Sequence, residues 1–175
     1  KYRDADKNFR QCKNAKKTVM GYDLIQDSCV AFVEGEMDLS SIYEAGFHSV
    51  VSLPDGAGAY TFWENVEERF KSVKKVVIWT DNDEPGYKAR YEIAKRVGYE
   101  KAVYVETPEG MKDANDVLVK MGKEKVLELI MDAKDFPIDG VVYAKDVDLV
   151  GYWMHGAKEG WSTGIPSLDP YWKFA

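Results

Sequence analysis

Val76-Val77-Ile78-Trp79-Thr80-Asp81-Asn82-Asp83-Glu84-Pro85-Gly86 is the stretch that decides the fold of this 175-residue chain. It opens as a β-branched apolar run directly after Lys74-Lys75 and ends in acid. Such a run reads as a strand over 76–80, covered on both faces as in a parallel sheet. Pro85 and Gly86 prevent the strand from continuing. Asp81 and Asp83 stand two residues apart, so on extended backbone both carboxylates point to one side. Two carboxylates held together repel and must share a proton or a cation. A hard divalent ion such as Mg²⁺, which prefers oxygen ligands, answers that need.

Outward from this stretch, strand and helix alternate. The runs 29–33, 48–53 and 102–105 read as further strands. Helices are predicted over 39–45, 60–70 and 84–97, from about 117, and over 123–133, with Gly46 and Gly98 as stops. This alternation predicts an α/β, Rossmann-like, mainly parallel four-stranded sheet flanked by helices. Residues 134–144 read as a linker. A further helix over 145–157, rich in apolar and aromatic residues, is expected to dock on a neighbour.

In an open parallel sheet, functional groups gather at the carboxyl ends of the strands. Glu34 follows the strand 29–33, Asp81 and Asp83 follow 76–80, and Asp113 follows 102–105 beyond a loop. Asp38 lies four residues after Glu34 and either returns to that edge or favours the positive end of the helix. Asp113 and Asp116 are candidates for helix caps as well as for ligation. Acids from three strand ends make a stronger signal for metal than the Asp-x-Asp alone. Asp81, Asp83, Gly86 and Glu92 also match positions of a calcium loop, but Pro85 and the preceding strand exclude that reading.

Charge is unevenly spread. The net charge is −6, and residues 1–20 hold seven Lys/Arg against Asp4 and Asp6, so 7 − 2 = +5 and the rest carries −6 − 5 = −11. A basic start on an acidic body suits phosphate contact by one part and metal binding by another. Cys12 and Cys29 form no C-x-x-C pair and read as reduced thiols. No apolar run approaches the roughly 18 residues of a membrane helix, so no membrane contact is expected.

Val33-Glu34-Gly35 after one strand and Asp81-Asn82-Asp83-Glu84-Pro85-Gly86 after another resemble the Toprim domain. Glu34-Gly35-Glu36-Met37-Asp38, Thr80-Asp81-Asn82-Asp83 and Lys112-Asp113-Ala114-Asn115-Asp116 are similar to its form in phage-type and Twinkle-like DNA primase–helicases. Lys1-Tyr2-Arg3 and Lys7-Asn8-Phe9 resemble the end of the basic subdomain that precedes it, and 162–169 resembles the start of a helicase domain. The resemblance therefore divides the chain into 1–21, the end of that subdomain; 22–136, Toprim; and 137–175, linker helix and helicase entry.

The resemblance implies metal-dependent RNA primer synthesis on single-stranded DNA, a nucleotidyltransferase reaction. Glu34 is implied as acid/base or metal ligand. Asp81 and Asp83 would hold Mg²⁺ or Mn²⁺, with Asp38 and Asp113 as further ligands. Lys7, with Lys13, Lys16 or Lys17, would meet phosphates. Implied partners are single-stranded DNA, nucleoside triphosphates and neighbouring subunits of a ring through the 145–157 helix. The compartment would be the bacterial host cytoplasm, or the mitochondrial nucleoid for a Twinkle-type protein. Two other readings remain: a primase-inactive module that supports ring assembly and DNA binding of a helicase, and a Toprim nuclease. No G-x-x-x-x-G-K-[ST] occurs, so an ATPase motor is not expected from these residues.

Overall fold

The computed structural model describes residues 2–3, 9–10, 12–54, 60–137, 147–148, 150–151, 154 and 165–167. The chain divides into two compact units, Lys1–Phe136 and Pro137–Ala175. In the second unit, the Gly151 backbone N–H donates to Asp148 Oδ1 at 2.7 Å. Most of the helix expected over 145–157, and with it the expected ring contact, lies outside the described residues.

The first unit opens with a short antiparallel pair, β1 (Tyr2–Arg3) and β2 (Phe9–Arg10). Its body is a five-stranded sheet of β3 (Val30–Val33), β4 (Val50–Ser52), β5 (Val76–Trp79), β6 (Ala102–Tyr104) and β7 (Lys134–Asp135), in the order β4-β3-β5-β6-β7. The first four are parallel, as the sequence predicts. The fifth is an addition to the expected sheet, because β7 pairs antiparallel with β6. Lys134 and Asp135 therefore belong to the sheet and not to a linker. Phe136, 2% exposed, anchors that return, with ring centroids 5.0 Å from Tyr104, 5.5 Å from Tyr91 and 5.6 Å from Tyr99.

Alternation along the strands fills two cores. Val30, Phe32, Val76 and Ile78 face one layer with Phe62, Phe70, Ile93 and Val97. Ala31, Val33, Val77 and Trp79 face the other layer with Leu39, Ile42, Val117 and Ile130. Strands buried on both faces read as unbroken apolar runs, and all four residues of both β3 and β5 are buried.

Among the described residues of the first unit, five α-helices cover the sheet: α1 (Glu36–Ala45), α2 (Glu67–Lys71), α3 (Glu84–Val97), α4 (Ala114–Met121) and α5 (Lys123–Met131). Helix α1 ends at Gly46, whose φ of 110° is the left-handed geometry that glycine tolerates best. The helix predicted over 60–70 is instead a 3₁₀ turn, Trp63–Asn65, followed by the five-residue α2. Val66 leaves helical geometry between them, at φ −124° and ψ −16°. Packing drives the break, since Phe62 and Phe70 both close on Phe32, at 6.4 and 5.6 Å between centroids. Aromatic anchoring on the sheet overrides the local periodicity. Before β3, the 12–20 segment is mostly exposed, but Val19 enters the core and Met20 bridges Ser52 beside β4.

Candidate metal centre

Three helix N-termini meet the carboxyl edge of the sheet, and an acid stands at each. Helix α3 begins at Asp83, whose Oδ1 accepts the Gly86 N–H at 2.9 Å. Helix α4 begins at Asp113, whose Oδ1 accepts the Asp116 N–H at 2.8 Å. These are N-caps, in which a side-chain oxygen satisfies an orphan donor of the first turn. In α1, Asp38 reaches back to the Gly35 N–H and also accepts the Asn115 N–H of α4 at 3.2 Å. The positive helix ends favour negative charge at all three places.

Asp38, Asp81 and Asp113 place one carboxylate oxygen each within 4.8 Å of one another. Asp38 is buried and the other two are half-buried. Burial is the main force pushing the Asp38 pKa up to about 7; the nearby Asp113 and Asp81 charges add to it, and the Asn115 and Gly35 N–H groups oppose it. Burial also raises the Asp81 carboxyl, against the pull of Lys112. Lys112 Nζ lies 2.6 Å from Asp81 Oδ2, and that hydrogen bond raises the lysine in turn. A crowded, partly desolvated set of hard oxygen donors with an ammonium drawn onto it is chemistry that fits Mg²⁺ or Mn²⁺.

The pleat separates Glu34 from this triad. Val33 is in register with Trp79, and both face the layer of α1 and α4. Asp81, two residues beyond Trp79, keeps that side. Glu34, one residue beyond Val33, turns to the other layer, where its charge acts on Tyr60. Glu34 thus shares the edge but not the cluster. Asp83 also lies outside the triad, with one oxygen engaged as the α3 cap.

Of the candidate lysines, Lys7 lies outside the described residues. Lys13 is exposed in a turn. Lys16 and Lys17 line a cavity of about 300 Å³ together with Thr18, Glu36 and Pro54. Glu36 opens α1 and Pro54 follows β4, so this cavity sits at the carboxyl edge as well.

Sequence reasoning passed over three contributors. Lys112 pairs with Asp81. Asn115 supplies the N–H to Asp38, and its Oδ1 accepts Ser41 Oγ of α1 at 3.0 Å. Proximity to Asp113 in the Lys112–Asp116 run is the signal that could have marked Lys112. The α1–α4 contact that gives Asn115 and Ser41 their roles has no local signature.

Comparison with known proteins places the fold in a family. The Toprim-like family model matches residues 31–118. The Twinkle homolog protein, chloroplastic/mitochondrial, of Arabidopsis thaliana is 37% identical over 97% of this chain and 27% of its own length. The primase fragment of the bacteriophage T7 primase-helicase protein superposes with a TM-score of 0.63 at 28% identity, over 73% of this chain and 55% of that one. Primase domains of two gp4 subunits bound to an RNA/DNA hybrid and dTTP, in a bacteriophage T7 lagging-strand DNA polymerase structure, give 0.64 at 28% identity, over 77% and 70%. The chain spans about a quarter of the Arabidopsis relative.

Proposed function

The chain belongs to the Toprim-like family, and from that premise we propose that it is the catalytic core of a DNA primase, joining ribonucleotides on a single-stranded DNA template. The observation that carries this reading is the Asp38/Asp81/Asp113 triad at the carboxyl edge of the sheet.

In this proposal the three aspartates hold Mg²⁺ or Mn²⁺. Such an ion, when bound, neutralises phosphate charge and favours deprotonation of an attacking hydroxyl. The remaining work falls to the chain itself. Lys16 and Lys17 line the cavity at the same edge, where their ammonium groups attract the triphosphate of an incoming nucleotide. Glu34, across the pleat from the triad, accepts the proton of the primer 3′-hydroxyl as its oxygen attacks the α-phosphorus and pyrophosphate leaves. The N-termini of α1 and α4 supply fixed positive dipoles that need no rearrangement when charge builds up on phosphate oxygens. Positioning and electrostatics supply most of the catalysis in phosphoryl transfer. The template strand and the growing RNA are the macromolecular partners, in keeping with the hybrid and dTTP held by the T7 primase domains.

The test is oligoribonucleotide synthesis on single-stranded DNA with Mg²⁺ or Mn²⁺, by the protein that carries this chain and by its Asp81→Ala and Glu34→Ala variants. The proposal predicts primers from the parent and a loss of at least 100-fold in both variants, on the order of what removing a directly acting group costs. A parent that makes no oligoribonucleotide on any template overturns it.

A further inference from the structure

We propose that Lys112 is a built-in counter-cation of the carboxylate triad, which must leave Asp81 before a divalent ion can enter. The inference rests on the metal-binding part of the function proposed above.

Three observations support it. First, the Lys112 ammonium sits 2.6 Å from Asp81 Oδ2, an atom of the residue that the triad shares with Asp38 and Asp113. A divalent ion and the ammonium therefore compete for one carboxylate. Second, the two partners differ in freedom. The Asp81 side chain is 15% exposed and the Lys112 side chain 57% exposed. The carboxylate is mostly shielded by the fold, while the lysine has open solvent to move into. Third, the Lys112 backbone is pinned on both sides. Its carbonyl accepts the Asn82 N–H at 2.7 Å, and its N–H donates to Asp116 Oδ2 at 3.0 Å. Asn82 Nδ2 also donates to the neighbouring Met111 carbonyl at 3.3 Å.

Displacement thus needs rotation of a flexible four-carbon stem and no movement of the loop. In the resting molecule the ammonium offsets the mutual repulsion of three close acids. In the loaded molecule it stands released at the rim, tethered within reach of the same edge. Lys112 is therefore a positioning residue that lowers metal affinity in exchange for an intact resting site.

The test is Mn²⁺ binding to the 175-residue chain, measured by the loss of free-ion EPR signal at constant pH and ionic strength, for the parent, Lys112→Met and Lys112→Arg. Removing the competing cation in Lys112→Met should tighten Mn²⁺ binding by about 3–10-fold, in line with a partly exposed ion pair. Lys112→Arg should stay within about 3-fold of the parent, because a cation is retained. In parallel, lysines are carbon-13 dimethylated, which keeps their charge. The resonance missing from Lys112→Arg should shift when diamagnetic Mg²⁺ is added to the parent. Equal or weaker Mn²⁺ binding by Lys112→Met, or a Lys112 resonance indifferent to Mg²⁺, overturns the proposal while leaving the metal site standing. A parent that binds no Mn²⁺ overturns both.

Discussion

The Asn115 backbone N–H donates to Asp38 Oδ1 and so ties the first turn of α4 to the first turn of α1. Asn115 lies two residues after the α4 cap, Asp113. The bond therefore also fixes how closely two acids approach, and Ser41 reinforces it from α1 through the Asn115 side chain.

That forced approach gives stability a pH dependence. The Asp38 carboxyl titrates near pH 7 in the folded chain, against 3.8 as its ordinary value. Between those values the folded state keeps a proton that the unfolded state has lost. Stability from this group is therefore highest at low pH and declines as pH rises from about 4 to 7. Asp38→Asn removes the titration while keeping an oxygen for the Asn115 N–H. In EDTA, the variant should be more stable than the parent at pH 8, on the order of 4 kcal/mol, and the gap should close towards pH 4. Thermal melts across that range check it; a gap that widens at low pH would reverse the sign and sink the argument. Adding Mn²⁺ at pH 8 should raise the parent midpoint and leave Asp38→Asn nearly unchanged.

Asp83 has a separable structural duty. Its carboxylate caps α3 by accepting the Gly86 N–H. Asparagine also caps well, so Asp83→Asn should melt within about 0.5 kcal/mol of the parent, whereas Asp83→Ala should lose about 1 kcal/mol. Urea unfolding in EDTA measures both. Equal losses in the two variants would assign the cost to charge and not to the cap.

How much of this was legible in the sequence depends on how far each feature reaches. The strand β5 and the helix α3 were readable, because Val76–Trp79 is apolar on both faces and Asp83-Glu84-Pro85 is a helix start that needs only local chemistry. The parallel orientation of the strands followed from alternation, whereas their order in the sheet did not. The edge strand β7 was not readable, since Lys134-Asp135 is polar on both sides and owes its place to Phe136 among three tyrosines. At the site, the sequence offers Glu34, Asp38, Asp81, Asp83 and Asp113 as one set, whereas the structure brings Asp38, Asp81 and Asp113 together. Strand parity already sets Glu34 apart from Asp81, yet only the register of Val33 with Trp79 makes that parity usable. Asp38 joined the cluster through a contact between helices remote in sequence.

Gly86 sets the first turn of α3 directly against the Asp81 backbone. A Cβ there would overlap the Asp81 carbonyl oxygen inside van der Waals distance, and Asp81 backbone atoms supply all the nearest contacts. Neither side can yield cheaply, because the obstacle is backbone. Gly86→Ala should therefore destabilise the chain by on the order of 2–4 kcal/mol, although alanine is ordinarily the better helix former. It should also weaken Mn²⁺ binding, since relief of the overlap moves Asp81. A variant as stable as the parent with unchanged Mn²⁺ affinity would show that the approach is looser than described.

Phe136 closes the first unit at its last residue, so its loss reports on whether the edge strand is integral to the fold. The ring is buried against Tyr91 and Tyr99 on the α3 side and Tyr104 on β6. Truncation removes a full aromatic side chain and leaves a cavity that three partly exposed tyrosines can only partly refill. Phe136→Ala should cost about 3–5 kcal/mol, and Phe136→Leu roughly 1–2 kcal/mol. Both should unfold in one transition if β7 belongs to the cooperative unit. Hydrogen exchange at the amide of Tyr104, which lies opposite Lys134 of β7, gives the sharper reading. In Phe136→Ala that amide should exchange at least 10-fold faster, relative to amides in β3, than in the parent. If global stability falls while that ratio stays fixed, the loss is one of general core packing and β7 is only a passenger at the sheet edge.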